Sequence, residues 1–193
     1  MITETYAPII GYLLGLSLSA PPGPVNAVIM NESSKSPLHG TSVGAGAMTA
    51  DLIFLVILYT VKDAVPHWVF EYLYVIGAVY MLYLAASVLR SRMPSKSRKG
   101  NYIVGLSMGI SNPFQILWWA TVGFFLIERL TLLSVIFFFL GIVTWIVAFP
   151  LAMNRVGKVY GNAVKIFSFL VLVSFSALMI FYALEPFLLT HQI

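Results

Sequence analysis

The chain has 193 residues, 60% of them hydrophobic and 9% charged, against roughly 25% charged in a soluble domain, so a soluble globular fold is excluded. Eleven Lys/Arg and seven Asp/Glu give a net charge of +4, yet these charges sit between long apolar runs, a pattern of membrane topology and not of a nucleic-acid-binding face. No Cys is present, which removes disulfides, thiolate metal sites and thiol redox relays, and at about 20 residues per crossing the chain has room for about six spans.

Charge-free windows mark those spans, because a charge at the bilayer centre costs roughly 2.5 to 3.5 kcal/mol on insertion scales. The first runs from Tyr6 to Asn31 and lacks the basic start of a signal peptide, so it is expected to be retained. The second covers about Leu38 to Val61 and is interrupted only by Asp51. The third covers about Trp68 to Leu89, with Trp68, Tyr72 and Tyr74 as expected interfacial anchors. A polar loop, residues 90–101, carries Arg90, Arg92, Lys96, Arg98 and Lys99, and the remaining spans cover about Tyr102 to Ile127, Leu130 to Met153 and Ile166 to Leu189. Apolar segments of this length exclude a barrel of alternating strands. The expected architecture is thus an all-α polytopic membrane protein with one six-helix domain over 1–193, divided into halves 1–89 and 102–193.

Orientation follows from the cations. Loops after spans one, three and five hold Lys35, the five cations of the basic loop, and Arg155, Lys158 and Lys165, whereas the opposite side holds Lys62 and Arg129. The positive-inside rule then places the basic loop in the cytoplasm and both termini outside. Anionic lipid is the expected minor contact of that loop.

Two spans are broken. The first contains Ser19-Ala20-Pro21-Pro22-Gly23-Pro24-Val25-Asn26, and three prolines in four residues cannot continue a helix. The fourth contains Ser111-Asn112-Pro113-Phe114-Gln115, again well inside an apolar stretch. These are the first spans of two three-helix halves, and an odd number of crossings per half makes any repeat inverted, a pattern that points to a transporter binding site at the breaks. Half-helices starting near Pro24 and Pro113 present positive dipole ends suited to a carboxylate, with Asn26, Asn112 and Gln115 as neutral donors and Ser17, Ser19 and Ser111 as hydroxyls. A plain kink whose freed carbonyls are satisfied by neighbouring hydroxyls is the competing reading.

Asp51 is the one formal charge deep inside a span. It shares a helix face with Gly40, Gly44 and Ala47, a small-residue stripe that lets another backbone approach, so the carboxyl group is expected to point into the bundle. Its two functional roles are counter-charge for an ammonium group and proton carrier, against a structural role as a neutral acid bonded to freed carbonyls. Dipole ends for a carboxylate and one acid for an ammonium together describe a site for a zwitterion, of which an amino acid is the simplest. Tyr80, Tyr83, Trp118 and Trp119 are expected to serve mainly in packing or anchoring, Phe137, Phe138 and Phe139 to face lipid or core, and Pro150 to mark a hinge or a helix end.

At these residues the chain resembles the LysE/RhtB family of amino-acid exporters. The resemblance consists of Pro22-Gly23-Pro24 in the first span, Gly40, Gly44 and Asp51 in the second, Gly77-x-x-Tyr80 in the third and Asn112-Pro113 in the fourth. It implies export of amino acids or related small molecules driven by the proton-motive force, a multi-pass protein of a prokaryotic cell membrane, homodimers, and no cofactor. Together with the reading of the breaks, the expected substrate-binding set is Pro22, Gly23, Pro24, Asn26, Asp51, Asn112, Pro113 and Gln115, with proton coupling at Asp51. Two departures stand out: Ala50 precedes the acid where the family commonly has Gly, and Phe114 follows Asn-Pro where it commonly has Lys. Basic amino acids are therefore not indicated as substrates. The alternative is a divalent-cation exporter, for which one deep acid with Asn26, Asn112 and Gln115 is a meagre set of hard oxygen ligands. A membrane enzyme fares worse, since His39, His67 and His191 lie near span ends and no His-Glu-x-x-His or Gly-x-Ser-x-Gly pattern exists.

Overall fold

A computed structural model describes residues 6–90, 101–156 and 161–190, with residues 67, 88, 154–156, 161–165, 167–168 and 185–190 described by their backbone alone. Residues 91–100 of the expected basic loop, and Lys158, lie outside the described residues. Among the described residues the fold is all-helical.

The first expected span is two helices, α1 (Ala7–Ser19) and α2 (Pro24–Ser33), bent by 81° at the Pro-Pro-Gly-Pro cluster. Pro24 takes the first position of α2, where its missing N–H removes nothing from the helix ladder. Helix α3 (Pro37–Val61) and helix α4 (His67–Arg90) follow, separated by a short 3-10 turn, Lys62–Ala64. The fourth expected span is α5 (Tyr102–Ser111) and α6 (Pro113–Trp118), running on through a π-helical turn, Trp119–Gly123, into α7 (Phe124–Arg129), with a 57° bend at Asn112. Helices α8 (Leu132–Val156) and α9 (Gly161–Thr190) complete the bundle.

By length and composition, three helices (α3, α4 and α8) are able to cross a membrane alone, and the two bent pairs raise the number to five. The sixth expected span corresponds to α9, whose apolar stretch Phe169–Leu184 belongs to the described residues. Pro150 lies inside α8 and does not end it.

The principal helix pairs are α1 with α8, α3 with α5, and α4 with α9. Exchanging the two halves turns the first pair into the second and leaves the third unchanged. The first two pairs are also built alike. Gly11 and Gly15 of α1 lie against the backbone of Ser134 and Phe138 in α8, and Gly105 of α5 lies against the backbone of Val43 in α3, with Gly109 against Ala47 and Ala50. Both pairs thus use two glycines four residues apart, which lets helix axes approach without side chains between them. A reciprocal glycine answers from each partner, Gly141 against Tyr12 and Gly46 against Tyr102. Helix α9 joins α4 through Met179, which packs on Gly77, and through the Ser176 hydroxyl, which donates to the Ala78 carbonyl at 2.9 Å.

One expected anchor is corrected. Trp68 and Tyr72 are exposed, but Tyr74 is fully buried, in edge contact with Phe125 and stacked on Phe70, because it falls on the face of α4 that meets α7. Phe138 is buried as well and stacks on Trp118.

Candidate functional site

Both helix breaks open onto one cavity of about 220 Å³, walled by α1, α2, α3, α4, α6 and α8. Pro22, Gly23, Pro24, Asn26, Asp51, Asn112 and Gln115 all line it. Pro113 is not part of its wall, being the first residue of α6 with its neighbours Asn112 and Phe114 facing inward.

Asp51 sits near the middle of α3, and Gly44, Ala47 and Met48 of the same face line the cavity with it. The side chain is 4% exposed. Its Oδ1 accepts two hydrogen bonds from the broken fourth span: Gln115 Nε2 donates at 2.5 Å and Trp119 Nε1 at 2.8 Å. Gln115 and Trp119 are four residues apart, so both project from one face toward the same oxygen. Gln115 also donates to the Ala47 carbonyl at 3.4 Å. Among the described residues nothing donates to Oδ2, which leaves one carboxylate oxygen fixed by the protein and the other available from the cavity. Trp119 itself opens the π turn, a local distortion often found at functional sites.

The two breaks differ in how their loose backbone groups are met. In the first, Asn26 Nδ2 reaches back across the bend to the carbonyls of Ser19 at 2.6 Å and Pro21 at 2.8 Å, while its Oδ1 accepts from Trp145 Nε1 at 3.1 Å. Both amide protons of Asn26 are thus engaged by its own chain, which stitches the bend shut. No side chain caps α2, so the N–H groups of Val25 and Asn26 are the ones a helix start leaves without an intrahelical partner. In the second break, Asn112 caps its own helix, its Oδ1 accepting from Phe114 N at 3.1 Å. Tyr80 of α4 donates to the Phe114 carbonyl at 2.5 Å, and the Phe114 ring stacks on Tyr83. The hydroxyls of Ser17, Ser19 and Ser111 bond back to carbonyls of their own helices.

Asn26 and Gln115 occupy equivalent places: each stands two residues after the helix-opening proline, and each bonds a residue of the helix paired across the halves, Trp145 of α8 and Asp51 of α3. No basic side chain lines the cavity among the described residues. Nor do any three His, Cys, Asp or Glu side chains gather there or elsewhere in a manner able to hold a metal ion, among the described residues.

Trp119 is the site residue that the sequence did not reveal. Its neighbour Trp118 lines the cavity with a buried indole N–H that has no hydrogen-bond partner. A Trp-Trp pair in an apolar span looks the same whether it packs or donates, and only the register set by the Asn112-Pro113 break tells the two apart.

The family model described as LysE type translocator matches residues 16–189. A Bacillus subtilis (strain 168) protein named "Putative amino acid efflux protein YcgF" is 33% identical over 119 residues, which is 55% of this chain and 57% of that protein. The match therefore spans a little over half the length of that relative. No solved structure matches the chain. With broken helices meeting at one acid-bearing cavity and a family match over nearly the whole chain, the protein belongs to the LysE type translocator family.

Proposed function

We propose that the protein is a secondary transporter that exports amino acids or related small zwitterions by proton antiport, across six spans arranged as two inverted three-helix repeats. The pairing of α1 with α8 and α3 with α5, with glycines at the same four-residue spacing, supports the repeat. The observation that carries the functional reading is the half-satisfied carboxylate. Asp51 is locked through Oδ1 by Gln115 and Trp119 while Oδ2 stays accessible from a cavity that, among the described residues, has no basic side chain.

In this reading the substrate enters from the cytoplasm and its ammonium group pairs with Asp51. Its carboxylate lies at the uncapped start of α2, where the N–H groups of Val25 and Asn26 and the positive end of the helix favour an anion. The start of α6 contributes less, because Asn112 already accepts its first free N–H. Asn26 acts by holding the bend, and Pro22, Gly23 and Pro24 by keeping the chain out of helix so that the α2 start faces the cavity. A proton arriving from outside neutralises Asp51, breaks its pairing with the ammonium group and releases the substrate outward. The unloaded, protonated site then returns and gives up its proton to the cytoplasm.

The test is efflux from proteoliposomes loaded with single labelled amino acids, with and without an acid external medium. The reading expects at least one amino acid whose efflux accelerates when the side corresponding to the cell exterior is acidified. Gradient-independent leakage of all of them would overturn it.

A further inference from the structure

We infer that the solute this cavity selects is an amino acid with one ammonium group and an uncharged, apolar side chain of valine size or larger. The inference rests on the exporter reading above and specifies its substrate. Its first ground is charge. The cavity wall holds one acid and, among the described residues, no base. Asp51 answers a single ammonium group, so a second cation on the substrate finds no counter-charge, and a second carboxylate finds no cation; an unpaired charge in such a site is expensive.

The second ground is the state of the polar side chains. Most of the donors in the wall are already engaged by the protein: Ser17 by Leu14, Ser19 by Gly15, Asn26 by Ser19 and Pro21, Tyr80 by Phe114, Gln115 by Asp51 and Ala47, and Trp145 by Asn26. A hydroxyl or amide on the substrate side chain would give up its bonds to water and meet mostly groups that are already paired, although the buried Trp118 N–H has no partner. The third ground is the remaining wall, Met48, Leu84, Phe114, Ile142 and Ile146 with the flank of Trp118, which offers apolar contact on several sides. Position 114 decides much of this. Its Phe ring, stacked on Tyr83, lines the mouth of the second break with an apolar and uncharged surface.

A methylene seated in an apolar pocket is worth roughly 10- to 200-fold in discrimination. Initial efflux rates of labelled leucine, phenylalanine, alanine, serine, lysine and glutamate from proteoliposomes of the wild-type protein, each under the same pH gradient, test the inference. Leucine and phenylalanine are expected to leave at least about tenfold faster than the other four. Lysine, serine or glutamate moving as fast as leucine would overturn the selectivity and leave the exporter reading intact. Gradient-driven efflux of none of the six would overturn both.

Discussion

Replacing Asp51 by Asn separates the charge of the site from its shape. The amide oxygen of Asn can still accept from Gln115 Nε2 and Trp119 Nε1, which now meet Asp51 Oδ1 at 2.5 and 2.8 Å, so the contact between α3 and the broken fourth span survives. Where Oδ2 was available to the cavity, the variant presents an NH₂ group that donates and cannot accept from an ammonium group. A hydrogen bond to a charged partner is worth about 1.5 to 3 kcal/mol, and with Asp51 only 4% exposed the upper end applies, which corresponds to roughly a hundredfold loss of affinity. Asp51→Asn is therefore expected to insert and unfold like the wild type while losing about two orders of magnitude in substrate efflux, with what remains indifferent to the pH gradient. The assay is gradient-driven efflux from proteoliposomes with matched protein content, accompanied by a thermal melt in detergent. Wild-type efflux with wild-type gradient dependence in a normally folded Asp51→Asn protein would refute the assignment. Asp51→Ala is a useful contrast: it strands two buried donors, each at a cost of about 1 to 3 kcal/mol, so it should lower the melting temperature as well.

The other residues of the network give distinct expectations. Trp119→Phe keeps a ring and removes the N–H, so Asp51 retains only Gln115 as donor; efflux should fall about tenfold with little change in thermal stability, and an unchanged rate would remove Trp119 from the site. Asn26→Leu frees the carbonyls of Ser19 and Pro21 and the Trp145 N–H, and should destabilise the protein by about 2 kcal/mol in a reversible melt, whereas a ligand-only role would leave the melt unmoved. Gly105→Leu drives a side chain into the Val43 backbone and should prevent a monodisperse protein from being purified, while Gly23→Ala, whose added Cβ meets only the Pro21 carbonyl at 3.9 Å, should purify normally. Size-exclusion profiles of the two variants check both statements.

Much of this organisation is legible in the sequence because lipid leaves few options. Three prolines in four residues cannot stay helical, so the bend at Pro21 to Pro24 was readable, as was the one at Asn112-Pro113. A lone acid in an apolar span must face protein, and Asp51 does, toward the second broken span. Tertiary register was not readable. The small-residue stripe of Gly40, Gly44 and Ala47 pointed to one face of α3, yet the closest backbone approach is at Gly46, on a neighbouring face that meets α5. Tyr74 reads as an interfacial aromatic from its place near a span start and is buried by α7, which lies beyond the π turn of the fourth span. The π turn has no compositional signature, and Asn26 looks like any polar group beside a break until its two amide bonds to the preceding turn are seen.

The central claim is that substrate and proton take turns on one carboxylate, Asp51. The most direct measurement follows both fluxes at once in proteoliposomes: labelled leucine leaving and protons entering, the latter read by a trapped pH dye. The account predicts that the two fluxes rise and fall together, that a leucine gradient alone drives protons in the opposite direction and builds a pH gradient, and that Asp51→Asn uncouples the two and lowers leucine efflux about a hundredfold. Leucine crossing at full rate without accompanying protons would contradict it.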